Sequence, residues 1–342
     1  MKNTSFKIGK KNVYKNSKKC FVIAEIGINH LGNFELCKKL ILSAAKSKAD
    51  AVKLQTLDPD ESYVKGTVSY NQFKNKQLTL EEMFKLRKIA KKKNLEFFST
   101  PGDFSSLQKL LKLKVDAIKI SSGLMTNIPL IEESAKSGLP IIISLGMAKK
   151  QEITNAYSSA KNAGSNKIAL LKCTSLYPAP ANALNLRNIL SLKNFFNIPI
   201  GYSDHTLDDL AAITAVGMGA TILEKHFTID NKLKGGDNRI SMMPNDFLKM
   251  VKKIRLTETM FGDDKIGPNN TEHSERNKRH RFIVANRDIL KDEKISLKNI
   301  AFKRIKKISK QALLPIKFKS IVNKKINKNV KKNSLIQKNF FR

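Results

Sequence analysis

The chain has 342 residues and carries 64 Lys and Arg against 29 Asp and Glu, a net charge of +35. Only 10 of the basic residues are Arg, aromatic content is 7% with no Trp, and Cys20, Cys37 and Cys173 show no CxxC spacing. These figures argue against a nucleic-acid reader, which relies on Arg and aromatic platforms, and against a disulfide framework or zinc knuckle. No apolar run approaches the ~18 residues of a membrane span, and residues 1–11 lack the apolar centre of a secretory signal, so a reducing cytoplasm is the expected location and no membrane partner is expected.

In chain order, short β-branched apolar runs occupy residues 21–26, 51–56, 95–100, 117–122, 140–145, 168–174, 199–203 and 220–227. Their spacing, roughly 20–45 residues, is that of one βα unit each. Their near-continuous hydrophobicity suits parallel strands covered by helices. Between them, Thr79-Leu-Glu-Glu82 reads as a capping box opening a helix that runs to about Lys93, and Gly138 before Pro140 reads as a helix stop. The eight units predict a (β/α)8 TIM barrel over residues 1–262. A doubly wound sheet is the alternative, but no GxGxxG follows the first run. Residues 263–278, rich in Gly, Pro and Asn, read as a linker. Residues 279–342 read as a small β-rich domain of short strands and Lys-rich turns, with an internal echo between residues 288–295 and 329–336. Residues 270–342 carry 22 basic and 5 acidic residues, about half of the surplus charge.

Barrel enzymes carry their chemistry at the C-terminal ends of the strands, and polar groups gather there. The ends read Glu25-Ile-Gly-Ile-Asn29-His30, Lys53-Leu-Gln55-Thr56, Ser99-Thr100-Pro101, Lys119-Ile-Ser121-Ser122, Ser144-Leu-Gly146, Lys172-Cys173-Thr174-Ser175-Leu-Tyr177, Tyr202-Ser203-Asp204-His205 and Glu224-Lys225-His226. Lys53, Lys119 and Lys172 at equivalent positions, with hydroxyls beside them, read as a cradle for phosphate or carboxylate; each alone reads equally as a solvated lysine. His205 and His226 end adjacent strands and read either as structural histidines or as a pair binding a divalent metal. Glu25 reads as a buried partner of a lysine, a base, or a ligand to metal-bound water.

The motifs Glu25-Ile-Gly-Ile-Asn-His-Leu-Gly32, Lys53-Leu-Gln-Thr56, Phe98-Ser-Thr-Pro101, Lys119-Ile-Ser-Ser-Gly123, Cys173-Thr-Ser-Leu-Tyr-Pro178, Gly201-Tyr-Ser-Asp-His-Thr206, Glu224-Lys-His-Phe-Thr228 and Asp237-Asn-Arg-Ile-Ser241 resemble, in order, those of the N-acetylneuraminate (sialic acid) synthase family, including its C-terminal SAF (antifreeze-like) domain. The resemblance implies condensation of phosphoenolpyruvate with an open-chain N-acyl-hexosamine to a nine-carbon 2-keto sugar acid and phosphate. It implies a divalent metal, typically Mn2+ with Mg2+ or Co2+ as alternatives, on His205 and His226. It implies that Lys53, Thr100, Lys119, Ser122, Ser144 and Ser203 hold phosphoenolpyruvate, that Gln55, Tyr177 and Asp237 face the sugar, and that Glu25 lies near the metal. It also implies a homodimer in which an Arg of the SAF domain, here Arg279 or Arg281, reaches the partner's site.

The chain departs from that pattern at Leu124, where the family usually has an acidic residue, at Ser175, where it has Asn, and at Leu145, where it has Thr. Ile305-Lys-Lys307 stands in place of a Gly-rich turn. Legionaminic and pseudaminic acid synthases share the scaffold and are alternatives to the sialic acid reading. A Schiff-base aldolase using Lys53, Lys119 or Lys172 is a further alternative, and a polyanion-binding protein, motivated by the net charge, is the least favoured.

Overall fold

The computed structural model describes residues 5–341, the side chains of residues 274 and 277 excepted. It divides into two compact units, Met1–Gly262 and Asp263–Arg342. The first opens with a hairpin, β1 (Ser5–Ile8) and β2 (Lys11–Tyr14). Then come β3 (Phe21–Gly27), α1 (Phe34–Lys46), β4 (Ala51–Thr56), the short helices α2 (Pro59–Ser62) and α3 (Val68–Phe73), α4 (Leu80–Lys92), β5 (Glu96–Pro101), α5 (Phe104–Leu113), β6 (Ile118–Ile120) and α6 (Ile128–Lys136). The unit finishes with β7 (Ile141–Ser144), α7 (Lys150–Asn162), β8 (Ile168–Cys173), α8 (Asn188–Phe195), β9 (Ile200–Asp204), α9 (Leu210–Gly217), β10 (Ile222–His226) and α10 (Pro244–Met260). Strands β3 to β10 close into one parallel barrel in sequence order, β10 pairing with both β3 and β9. This is the (β/α)8 architecture expected from the eight apolar runs.

Local chemistry accounts for the elements. Thr79 caps α4, accepting from the Glu82 backbone N–H while the Glu82 carboxylate takes the Thr79 N–H, a reciprocal pair that satisfies two orphan donors. Helix α6 stops at Lys136, two residues before Gly138. Strands β3, β5, β7, β8, β9 and β10 are buried along their whole length, as strands covered by helices outside and packed side chains inside must be. Among the described residues no helix is long and apolar enough to cross a membrane.

The hairpin β1–β2 has no counterpart in the sequence reading. Its four-residue strands sit at the lower limit of the run over which period-2 alternation can be read. Phe6, Ile8 and Val13 join the barrel's core, while the Lys10 N–H donates to Glu96 (2.9 Å) and the Lys11 ammonium to Asp50 (3.1 Å). Asp50 and Glu96 stand at the N-terminal ends of β4 and β5, so the hairpin seats on the barrel end opposite the C-terminal strand ends.

The second unit contains α11 (Asn270–Arg279), β11 (Phe282–Ala285) and β12 (Ile300–Lys303). The helix corrects the expected 263–278 linker. Asn269 and Glu272 form a capping box, and Glu275 pairs with Lys278 and Arg279 at 2.9 and 2.8 Å, so local pairs sustain a helix that lacks an apolar stripe. The remainder is a small core around Ile283, Ile295, Ile326 and Ile336, with strands β11 and β12 antiparallel. The two echoing segments meet: Ile289 and Val330 exchange backbone hydrogen bonds, 2.8 Å each way. Short antiparallel pairs and turns of this kind fit an SAF-like domain.

The hairpin gives a direct test. Ile8 is fully buried, so Ile8→Ala is expected to lower the urea-unfolding free energy by ~2–4 kcal/mol. A loss below ~0.5 kcal/mol means the hairpin does not share the barrel's core.

Candidate active site

The C-terminal ends of the barrel strands enclose a cavity of about 550 Å³. Its floor is set by β4 and β6, where Lys53 and Lys119 point inward and are almost wholly buried. A buried ammonium survives only if paired and hydrogen-bonded. The Lys53 Nζ lies 3.0 Å from Glu25 Oε1 and 3.6 Å from Glu224 Oε1, and Lys119 Nζ lies 3.7 Å from the same Glu224 oxygen. Lys53 also donates to Thr100 Oγ1 (3.2 Å), and Lys119 to Ser144 Oγ (2.6 Å) and the Ile120 carbonyl (3.2 Å). Gln55 donates to Glu25 (3.1 Å) and Ser203 to Glu224 (3.3 Å). The two acids separate in character. Burial, only partly offset by Lys53, pushes Glu25 up to about 7. Glu224 is equally buried, but Lys119 and Lys53 together hold it below the ordinary carboxylate value. Glu25 Oε2 and Glu224 Oε2 are buried without a hydrogen-bond partner among the described residues.

The histidines stand on the neighbouring wall. His205 follows β9 and His226 ends β10, with ring centroids 5.4 Å apart. The Thr174 carbonyl accepts from His205 Nδ1 at 2.7 Å, which places a proton on Nδ1; burial works against the charged ring, but the Cys173 contact and this hydrogen bond hold the imidazole above its usual value. Tyr177 stacks on His205 at 4.1 Å. His226 Nδ1 is buried with no hydrogen-bond partner among the described residues and lies 3.6 Å from Asp237 Oδ2. Burial, reinforced by His205, holds the His226 imidazole well below its usual range, so the ring is neutral. Two imidazoles, with the Asp237 carboxylate 3.6 Å from His226, are the donor types that suit a divalent transition ion. Among the described residues no cluster of three or more His, Cys, Asp or Glu forms a ready-made metal cage.

Structural groups behind these residues fix them. Lys225, pointing out of the barrel, pairs with Asp204 (2.7 Å) and donates to the Thr206 and Asp208 carbonyls, pinning the loop that carries His205. Asn29 donates to the Phe227 carbonyl and Ser241 and accepts from the Asp237 N–H, anchoring the segment beside His226. His30, pushed down to about 4 by burial, accepts from the Gly32 N–H and serves the turn rather than the cavity. At Gly27 (φ +54) a side chain would meet Glu25 Oε1 at 3.1 Å. At Gly146 a side chain would meet Ser175 Oγ at 2.1 Å and Ser122 Oγ at 2.7 Å, and its N–H donates to Ser122 (3.0 Å).

Of the residues singled out in the sequence, Glu25, Lys53, Gln55, Thr100, Lys119, Ser122, Ser144, Ser175, Tyr177, Ser203, His205 and His226 line the cavity, with Asp237 against His226. Lys172 is a correction. It faces outward toward α7 and α8, where it donates to the Cys173 carbonyl (2.7 Å) and Thr174 Oγ1 (3.0 Å), and Cys173 takes the inward position. Arg279 and Arg281 belong to the second unit; both are exposed, and Arg279 pairs with Glu275. Glu224 was missed, although it precedes His226 by two residues and so shares its face of the strand.

The NeuB family model matches residues 40–266. An uncharacterized protein of Methanocaldococcus jannaschii is 40% identical over 330 residues, covering 96% of each chain. The N,N'-diacetyllegionaminic acid synthase of Legionella pneumophila is 36% identical, covering 92% of each. The crystal structure of N-acetylneuraminic acid (sialic acid) synthetase from Leptospira borgpetersenii superposes with a TM-score of 0.77 at 35% identity, covering 81% of this chain and 98% of that one.

The raised Glu25 value makes a stability prediction. Its folded value of about 7 exceeds the ordinary 4.5, so the folded state retains a proton that the unfolded chain releases, and the residue opposes folding increasingly from pH ~4.5 to ~7. Relative to wild type, Glu25→Gln should therefore gain ~2–3 kcal/mol in urea-unfolding free energy between pH 5 and pH 8. A difference that stays constant over that window would show that Glu25 is not buried as a proton-holding acid.

Proposed function

The chain belongs to the NeuB family, and on that premise we propose that this synthase condenses phosphoenolpyruvate with the open-chain aldehyde of an N-acyl-hexosamine. The products are a nine-carbon 2-keto sugar acid and inorganic phosphate. A carbon–carbon bond forms between the enol methylene and the aldehyde carbon, and one water is consumed as the phosphate ester is lost. The observation that carries this reading is the pair of buried ammonium groups, Lys53 and Lys119, bracketed by hydroxyls and set beside two histidines.

Each group has a task suited to its setting. Lys53 and Lys119 bind the carboxylate and phosphate of the trianionic substrate in a water-poor floor where such charges count most. Thr100, Ser122, Ser144 and Ser203 orient its oxygens, and Glu224 keeps both ammoniums charged and aimed. Gln55, Tyr177, Ser175 and Asp237 receive the sugar. Glu25, balanced near neutrality, is suited to hold or release a proton beside the aldehyde. His205 and His226 would hold a divalent ion, with Mn2+ the first choice and Mg2+ or Co2+ alternatives, which when bound supplies Lewis-acid polarisation of the aldehyde. The same proposal includes a homodimer in which Arg279 or Arg281 of one protomer contacts the sugar in the other.

The test is phosphate release from protein, Mn2+, phosphoenolpyruvate and a panel of N-acyl-hexosamines. Release should require both substrates, cease with EDTA and return with Mn2+. Lys53→Met and Lys119→Met should each lower kcat/KM for phosphoenolpyruvate by about 100-fold or more, the loss of a charge-assisted contact at the reacting group. No release with any sugar sinks the proposal, and EDTA-resistant turnover with borohydride trapping on a lysine would replace it with Schiff-base chemistry.

A further inference from the structure

Among the described residues four lysines are buried: Lys53, Lys119, Lys172 and Lys225. Three of them meet carboxylates, Lys53 at Glu25, Lys119 at Glu224 and Lys225 at Asp204. Lys172, only 9% exposed, has no carboxylate within ion-pair distance among the described residues. Its partners are neutral, the Cys173 carbonyl and Thr174 Oγ1, and they take two of the three N–H donors of an ammonium. A buried cation without a counter-ion is costly. Lys172 opens on a cavity of about 470 Å³ between α7 and α8. Leu145, Ile153, Leu192, Phe195 and Phe196 give that cavity an apolar lining, and no carboxylate or histidine lines it. Its second cation is Lys150, which is exposed and lies 4.6 Å over the Phe195 ring.

We propose that this cavity is a second binding site, taking a monocarboxylate with an aromatic body, its carboxylate on Lys172 and its ring against Phe195 and Phe196. The carboxylate gains a charge-assisted bond from the third N–H of Lys172, and the ring gains burial and aromatic contact. A bare inorganic anion leaves the apolar lining wet, and a neutral hydrocarbon leaves the ammonium without its counter-ion. With two cations and no acid or imidazole in the lining, the site is built to hold a ligand rather than to transform it. It is separate from the catalytic cavity, sharing with it only Met147 and Cys173, and it stands whether or not the condensing reading holds. The ligand's charge would nonetheless lie just behind the histidine wall, because Lys172 donates to Thr174, whose carbonyl accepts from His205.

The experiment is calorimetric titration of the full chain with 4-phenylbutyrate as probe. The expected result is saturable one-to-one binding with a Kd of about 1 mM or tighter, the range for a ligand of this size. 4-Phenylbutanol, which lacks the charge, and butyrate, which lacks the ring, should each bind about tenfold more weakly. Lys172→Met should weaken the probe by about tenfold or more, the loss of a bond to a charged group. Phe195 is 55% exposed, so Phe195→Ala keeps the fold; it should weaken the probe several-fold and tests the site even where Lys172→Met does not fold. Lys53→Met, which removes a cation from the catalytic cavity, should leave the Kd unchanged. The proposal is overturned by an absence of saturable binding, by equal affinity for the acid and the alcohol, or by a Kd that survives Phe195→Ala. A Kd lost in Lys53→Met overturns it as well, since the probe then sits in the catalytic cavity.

Discussion

The structure turns on two ammonium groups buried inside an apolar barrel. Moving an ion into such an interior costs several kcal/mol unless geometry and hydrogen bonds compensate, and Lys53 and Lys119 are 2% and 1% exposed. Everything around them answers that constraint. One Glu224 oxygen lies between 3.6 and 3.7 Å from both, Glu25 adds a second anion at Lys53, and Thr100 and Ser144 accept the remaining protons. Two lysines against two acids leave the acids unequal, because Glu224 is near both cations while Glu25 leans on one. That asymmetry drives their protonation apart, the usual origin of separate acid and base roles within one pocket.

Precision at the histidines comes from outside the barrel. Lys225 and Asp204 occupy the outward positions of β10 and β9 and form a buried ion pair that also collects two loop carbonyls. An outward pair therefore sets the height of an inward ring. The Thr174 carbonyl then fixes the tautomer of His205, and Asn29 bridges three segments beside His226. Supporting groups of this kind decide whether two imidazoles can act on one ion.

Much of this was legible in the sequence, and the failures share a cause. The eight apolar runs, the capping box at Thr79 and the polar strand ends were readable because period, cap and position each leave a residue-type signal. Which face a residue takes was less legible. Barrel strands are apolar on both faces, so Lys172 between Leu171 and Cys173 fits either parity, and a one-residue slip reverses every side chain. Glu224 was obscured in the same way, since Glu224-Lys225-His226 presents three ionisable residues in a row, only alternate ones of which face the cavity. The helix at Asn270–Arg279 escaped because its support is ion pairs along one face rather than an apolar stripe.

The hairpin at the opposite end of the barrel carries a consequence for synthesis. Its strands are made before every residue they rest on: Asp50, Glu96 and, through Lys15, Asn197. As the chain leaves the ribosome, Phe6, Ile8 and Val13 therefore have no surface to cover until several later βα units exist. The barrel's lower end is consequently closed by a segment made before the strands it covers, whose apolar side chains find their surface only once those strands are in place.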